Sequence, residues 1–261
     1  MSKRSANTYQ KINTVFFRDT NDIIMPYDTF VTPELEYLRN CQFECTEKID
    51  GTNMRIEITH HKDGDNVVFD MAIKGKTDNA TVPVHLMKFM TETFPKEKVC
   101  EALGIKVVMT PSDCLDNKWL DYENIPNYTI YGEGYGMKIQ KGGNYIKNGV
   151  NFIVFDIKVN DIYLMTDVYQ DIAKKMNADI VPFIGMMTID QAIDFVKTGF
   201  KSTIAENKDY DAEGLVLKTP LGLKDRLGKR IIVKVKTVDF RKYFNKYNTY
   251  DKVPQIRKEM N

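Results

Sequence analysis

The run Glu47-Lys48-Ile49-Asp50-Gly51-Thr52-Asn53 follows a short alternating segment (Phe43, Cys45) and precedes a longer one. In the longer one Met54, Ile56 and Ile58 face one way, and Arg55 and Glu57 the other. Alternation of period two predicts strands, so Lys48 falls at a strand end that leads into an Asp-Gly turn. A lysine amine is a poor nucleophile while protonated. Desolvation, neighbouring cations or a delivered phosphate make it useful. Taken alone, however, the run reads better as a surface lysine beside a common turn dipeptide.

Working outward, Val67, Phe69, Met71 and Ile73 alternate as well, and the polar segment His60–Asn66 predicts a hairpin joining the two strands. Residues 84–103 have a helical pattern broken at Pro95, which predicts two short helices. Residues 128–133 and 151–159 are strand-like, and the second (NFIVFDIKV) is apolar on both faces, as a central strand would be. A helix is expected over about 167–177. Another starts at Thr188, where Thr188 and Gln191 form a capping-box pattern. Ile189, Ala192, Ile193 and Val196 make its apolar stripe, and Gly199 its stop. Strands return at 213–218 and 231–237. Without regular βαβ alternation the chain belongs to the α+β class.

Among 261 residues, 37 Lys+Arg against 36 Asp+Glu leave a formal net charge of +1, so any nucleic-acid surface must come from segregated charge. The cysteines Cys41, Cys45, Cys100 and Cys114 form no CxxC pair, and His60, His61 and His85 lack helical ligand spacing, which argues against structural zinc. Reduced thiols in a cytoplasmic setting are the plain expectation. No apolar run approaches the ~20 residues that cross a bilayer, and MSKRSANTYQ has no apolar stretch of a secretory signal.

Four further segments bear on Lys48. Lys74-Gly75-Lys76 ends the second hairpin strand and puts two lysines on one face by period two. Tyr131-Gly132-Glu133-Gly134-Tyr135-Gly136 sets a carboxylate among glycines. Glu213-Gly214-Leu215-Val216-Leu217-Lys218 opens an apolar strand with a carboxylate. In Ile231–Lys236, Lys234 and Lys236 point one way with Ile232 while Ile231, Val233 and Val235 point the other. Each of these is ordinary on its own. In this order, with Phe155-Asp156-Ile157, the set KxDG, YGE, FxxFDI, EGLVLK and KxK resembles the motifs of the lysine nucleotidyltransferases: ATP-dependent DNA ligases, RNA ligases and capping enzymes. Glu47-Lys48…Gly51-Thr52-Asn53, and Gly132-Glu133 followed by Gln140-Lys141, are similar to the RNA ligase 2 branch. Two features depart from it: Lys76 stands where the branch usually has arginine, and only 25 residues follow Lys236.

The resemblance implies an ATP-grasp-like ligase adenylation fold of mostly antiparallel sheets with flanking helices. A nucleotidyltransferase domain is expected over 1–240 and a short basic tail over 241–261, with no appended OB or helical domain. It further implies that Lys48 attacks the α-phosphorus of ATP to form lysyl-AMP, that AMP passes to a 5′-phosphate, and that a 3′-hydroxyl displaces it. Lys234 and Lys236 would contact the α-phosphate and help keep Lys48 deprotonated, and Glu133 and Glu213 would serve Mg²⁺ or Mn²⁺ and the ribose. Phe155 would stack on adenine, Glu47 would accept from the base edge, and Asn53 and Lys76 would contact phosphate or ribose. Burial tendencies alone would put Phe155 in the core. Lys74, Lys138 and Lys141 are even between solvated lysines and phosphate contacts. Of Lys224, Arg226, Lys229, Arg230, Arg241, Lys242 and Lys246, some are expected to bind the strand being joined, with a solvated face the default for each. Trp119 and residues 105–127 match no motif. RNA is favoured over DNA as substrate, and a monomer without membrane association is expected. The alternatives are a DNA ligase core, a capping guanylyltransferase and an inactive RNA-end-binding module.

Overall fold

The computed structural model describes residues 7–25, 30–116, 124–140 and 145–247. Trp119, Lys141 and the tail beyond 247 lie outside them. In chain order the first elements are β1 (Asn13–Thr14), α1 (Pro33–Tyr37), β2 (Phe43–Glu47), β3 (Thr52–Asp63) and β4 (Asn66–Gly75). Next come α2 (Val84–Thr93), α3 (Lys96–Ala102), β5 (Val108–Met109), α4 (Pro111–Asp116), β6 (Tyr128–Gly136) and β7 (Val150–Val159). The last are β8 (Ile162–Tyr163), α5 (Thr166–Lys175), β9 (Asp179–Ile180), β10 (Phe183–Met187), α6 (Ile189–Lys197), β11 (Gly214–Lys218), β12 (Ile232–Lys236) and α7 (Thr237–Tyr247). The α+β reading holds.

The chain divides into two compact units that interleave in sequence. One comprises residues 1–9 and 50–180, the other 10–49 and 181–261. The first is built on a seven-stranded sheet in the order β5-β4-β3-β6-β7-β8, with β9 joined parallel to β7. Its β3–β4 hairpin is longer than the alternation predicted. The strands run on through the polar residues to the pair Asp63–Asn66, closed by Gly64-Asp65. Met54, Ile56 and Ile58 form one core with Leu86 and Met90 of α2, Val99 and Cys100 of α3, and Ala173 of α5. Pro95 separates α2 from α3 as expected.

Arg55 and Glu57 depart from the alternation, because both are buried although they lie on the side opposite that core. Arg55 Nε donates to Glu57 Oε1 (2.7 Å), and its other nitrogens donate to the Gly75 carbonyl and to Asp78. Lys74 closes the set at 2.7 Å from Glu57 Oε2. Burial alone would raise the Glu57 carboxyl, but Lys74 and Arg55 hold it below the ordinary range. A buried charge persists when its partners satisfy it in this way.

The second unit carries a five-stranded sheet, β1-β12-β11-β2-β10, antiparallel except for the β1–β12 pair. Phe43 and Cys45 of β2, Leu215 and Leu217 of β11, and Val233 and Val235 of β12 form its core. The Ile189, Ala192, Ile193 and Val196 stripe of α6 packs there, and the Thr188–Gln191 capping box forms in both directions. Phe240, Tyr243 and Phe244 of α7 enter the same core, so residues 241–247 are helix. No helix among the described residues is long and apolar enough to cross a membrane.

Candidate active site

Hydrogen bonding of β2, β11 and β12 side by side brings four of the predicted residues together in the second unit. Gly214 pairs with Lys236, and Val216 with Lys234. The Gly214 carbonyl also accepts from the Lys48 backbone N–H at 2.8 Å, extending the ladder one residue beyond β2. Only glycine fits at 214: φ is +151°, and an added Cβ would lie 2.0 Å from the Val235 carbonyl oxygen.

At this end of the sheet Lys48 Nζ lies 2.5 Å from Glu213 Oε2, and Lys236 Nζ lies 2.6 Å from Glu213 Oε1. One carboxylate thus spans two ammonium groups. Lys234 projects from the same side of β12. Burial first, then the charges of Lys236 and Lys48, push its ammonium down to about 8, against the opposing pull of Glu213 and Asp239. Three amines around one carboxylate leave an excess of positive charge, which suits an incoming phosphate.

The depressed Lys234 has a measurable consequence. Between about pH 8 and the ordinary lysine value the unfolded chain holds this proton and the folded chain does not. Its contribution therefore makes stability rise with pH across that window. Lys234→Met is expected to raise Tm at pH 7 and to flatten the rise above pH 8. Unfolding curves of wild type and variant at pH 7, 8, 9 and 10 check this, since their difference isolates Lys234 and the groups coupled to it.

Glu47 is held by partners of its own in the second unit. Its side chain accepts from Ser202 Oγ (2.5 Å), Thr203 N–H (2.9 Å) and Thr203 Oγ1 (2.6 Å), and only 1% of the residue is exposed. Three donors on two oxygens tie β2 to the 202–203 turn and leave little capacity for a base edge. No local pattern announces these partners, which are 155 and 156 residues away.

In the first unit, Asn53 on β3 sits opposite Glu133 on β6. The Asp50 N–H donates to Tyr145 Oη at 3.0 Å. At Gly51 an added Cβ would fall 2.3 Å from the Gly134 carbonyl oxygen and 2.8 Å from Glu133 Cγ, so the turn after Lys48 requires glycine. Asn53 Oδ1 is buried and accepts from no group among the described residues. An orphaned acceptor of this kind is costly unless a ligand or water meets it.

Phe155 is half-buried, with its ring 5.0 Å from that of Tyr9 at 71°. Tyr9 also lies 5.0 Å from Tyr131 and donates to Asp156 Oδ2 at 2.7 Å, so Asp156 is a supporting residue here. Tyr9 carried no motif, and its place in this cluster was missed. Lys74 and Lys76 have different surroundings. The strand ends at Gly75, and Lys74 turns to Glu57 while Lys76 is exposed in the bend beyond.

Among the described residues, no group of three His, Cys, Asp or Glu forms a metal cage. Mg²⁺ keeps several waters and is commonly held by one or two carboxylates plus substrate phosphates.

The fold is of the nucleotidyltransferase type. Three solved structures of Naegleria gruberi RNA ligase share it. A mutant with ATP and Mn has a TM-score of 0.52 and 20% identity, over 91% of this chain and 63% of that one. The form with PPi gives 0.52 and 19%, over 92% and 64%. Another mutant with ATP and Mn gives 0.54 and 20%, over 94% and 60%. The chain therefore spans a little under two thirds of those proteins. No curated protein matches it significantly. The family model described as RNA ligase matches residues 42–236, most of the chain. The chain belongs to the RNA ligase family.

Proposed function

We propose that the protein is an ATP-dependent RNA ligase that joins 5′-phosphate and 3′-hydroxyl ends, with Lys48 as the nucleophile. The observation that carries this reading is the Glu213 carboxylate clasped by Lys48 and Lys236 beside Lys234. Family membership and the structures of Naegleria gruberi RNA ligase with ATP and Mn support the choice of nucleotide and metal.

As ATP binds, its α-phosphate takes the place of Glu213 as counter-ion to Lys236 and Lys234. Glu213 Oε2, already at hydrogen-bond distance from Lys48 Nζ, accepts its proton. The free amine attacks the α-phosphorus, an N–P bond forms, the P–O bond to the β-phosphate breaks, and pyrophosphate leaves. Lys236 and Lys234 stabilise the charge that grows on the α-phosphate oxygens. Mg²⁺ or Mn²⁺, when bound, would neutralise phosphate charge, and Glu133 and, once its proton has passed on, Glu213 are the carboxylates that would serve the metal or the ribose. Asn53, Lys76 and Phe155 contact the nucleotide, and the orphaned Asn53 Oδ1 suits a ribose hydroxyl donor. AMP then moves from Lys48 to the 5′-phosphate, and the 3′-hydroxyl expels it.

Incubation with Mg²⁺ and α-labelled ATP, GTP or NAD tests the reading. Label from ATP alone is expected. Label from GTP would indicate a capping guanylyltransferase, and no label from any of them an inactive binding protein. A panel of nicked RNA, nicked DNA and hybrid duplexes then tests the substrate, with nicked RNA expected to be sealed fastest.

A further inference from the structure

The loop between β11 and β12 is a structured hairpin with an unusual surface. Lys224 and Arg230 bridge its two arms, and the Ile231 N–H donates to the Leu223 carbonyl at 2.7 Å. At its tip Asp225 Oδ1 accepts from the N–H groups of Leu227 (2.8 Å) and Lys229 (2.9 Å). At its base Thr219 Oγ1 accepts from the Leu223 N–H at 2.8 Å. The one acid of the tip is thus spent on the backbone, while Lys224, Arg226 and Lys229 are exposed. None of these three has an ion pair among the described residues.

The basic residues near the C-terminus separate accordingly. On α7, Arg241 pairs with Asp211 (2.7 Å), Lys242 with Asp22 (3.2 Å) and Lys246 with Asp19 (2.8 Å). Those charges are answered within the unit. The hairpin's are not. The hairpin also exposes Leu221 at 76% and Leu227 at 72%, where turn tips ordinarily carry polar residues. Isolated exposed leucines need no explanation, but two flanked by uncompensated cations match a polymer that offers phosphates and base faces together.

We propose that residues 219–231 form an RNA-holding finger. Lys224, Arg226 and Lys229 contact phosphates of the strand to be joined, and Leu221 and Leu227 pack against its bases. The proposal rests on the ligase reading above and adds how the substrate is held. β11 leads away from Glu213, and β12 leads back to Lys234 and Lys236. Along the shorter arm the tip therefore stands about nine residues, at most roughly 30 Å at ~3.3 Å per residue, from the level of the Lys48–Glu213 pair. That distance corresponds to at most about nine nucleotides at a rise of ~3.4 Å. The finger grips the strand away from its reacting end.

The test is binding of the full chain to 5′-phosphorylated RNA of about twelve and about four nucleotides, measured by fluorescence anisotropy over a range of salt. Lys224→Ala/Arg226→Ala/Lys229→Ala is expected to weaken binding of the longer RNA about tenfold. It should also lower the slope of log K against log[salt] by about 2. Binding of the shorter RNA and covalent labelling by ATP should be unchanged. Arg241→Ala/Lys242→Ala/Lys246→Ala, which removes the same charge from α7, should leave RNA binding within about twofold. Leu221→Ser/Leu227→Ser should weaken binding without changing the slope. Equal losses from the two charge variants, or full binding by the hairpin variant, would overturn the finger. So would tighter binding of wild type to phosphatidylserine vesicles than to RNA, lost on leucine replacement. Absence of ATP labelling in wild type would instead sink the ligase reading, whatever the RNA result.

Discussion

Lys48→Ala is expected to abolish covalent AMP labelling, with no signal above background at any ATP concentration, and to abolish sealing of 5′-phosphate RNA. The argument is chemical. No other side chain placed against Glu213 both follows a strand end at a glycine-requiring turn and offers an amine 2.5 Å from a carboxylate that can take its proton. Structural loss is not the explanation to expect. Lys48 is partly exposed, and the Gly214 carbonyl accepts from its backbone, which alanine retains. Thermal unfolding of the variant should stay close to wild type, and circular dichroism with a melting curve separates the two effects. Labelling of the variant at a wild-type rate would remove the mechanism.

The second large effect belongs to Lys236. Lys236→Ala leaves Glu213 paired with Lys48 alone and removes a cation from the place where charge develops on the α-phosphate. Loss of one preorganised donor of this kind costs about 10²- to 10³-fold in rate. Single-turnover labelling by α-labelled ATP should slow by that factor, while RNA affinity changes little. Lys236→Arg should recover part of the rate, because it keeps the charge but not the geometry of a point ammonium. A rate for Lys236→Ala equal to wild type would mean that the ion pair with Glu213 is merely structural.

The parts of the fold governed by local chemistry could be read from the sequence. The Thr188–Gln191 capping box, the break at Pro95 and the alternation in β3, β4 and β12 all concern residues within a few positions of one another. The cluster of Lys48, Glu213, Lys234 and Lys236 was legible for a different reason. Five motifs in order carried the resemblance, and the adjacency of β2, β11 and β12 then brought the residues of three of them together. Long-range topology was not legible. Nothing near Tyr9 signals that it packs with Tyr131 and Phe155, and nothing near residue 50 signals that the chain passes there between compact units.

Arg55 and Glu57 show a second limit. Their alternation with apolar residues implies an exposed face, yet the guanidinium is buried because Gly75, Asp78 and Glu57 together satisfy it. Alternation reports which side a residue takes, not whether that side is covered. Period-two geometry does not carry over to Lys76, since it ends where the strand does, at Gly75. The repeat Phe240, Tyr243, Phe244 and Tyr247 was present in the sequence and marks the amphipathic α7. The density of lysine and arginine around it had suggested a tail.

Peptide mapping by mass spectrometry after incubation of the wild-type protein with ATP and Mg²⁺ tests the central claim most directly. Lys234, pushed down to about 8, is an amine of the cluster that sheds its proton readily, so acidity alone offers a rival nucleophile. The account predicts one AMP per chain, on the peptide that contains Lys48. An adduct on Lys234, or none on a folded, metal-supplied protein, would contradict it.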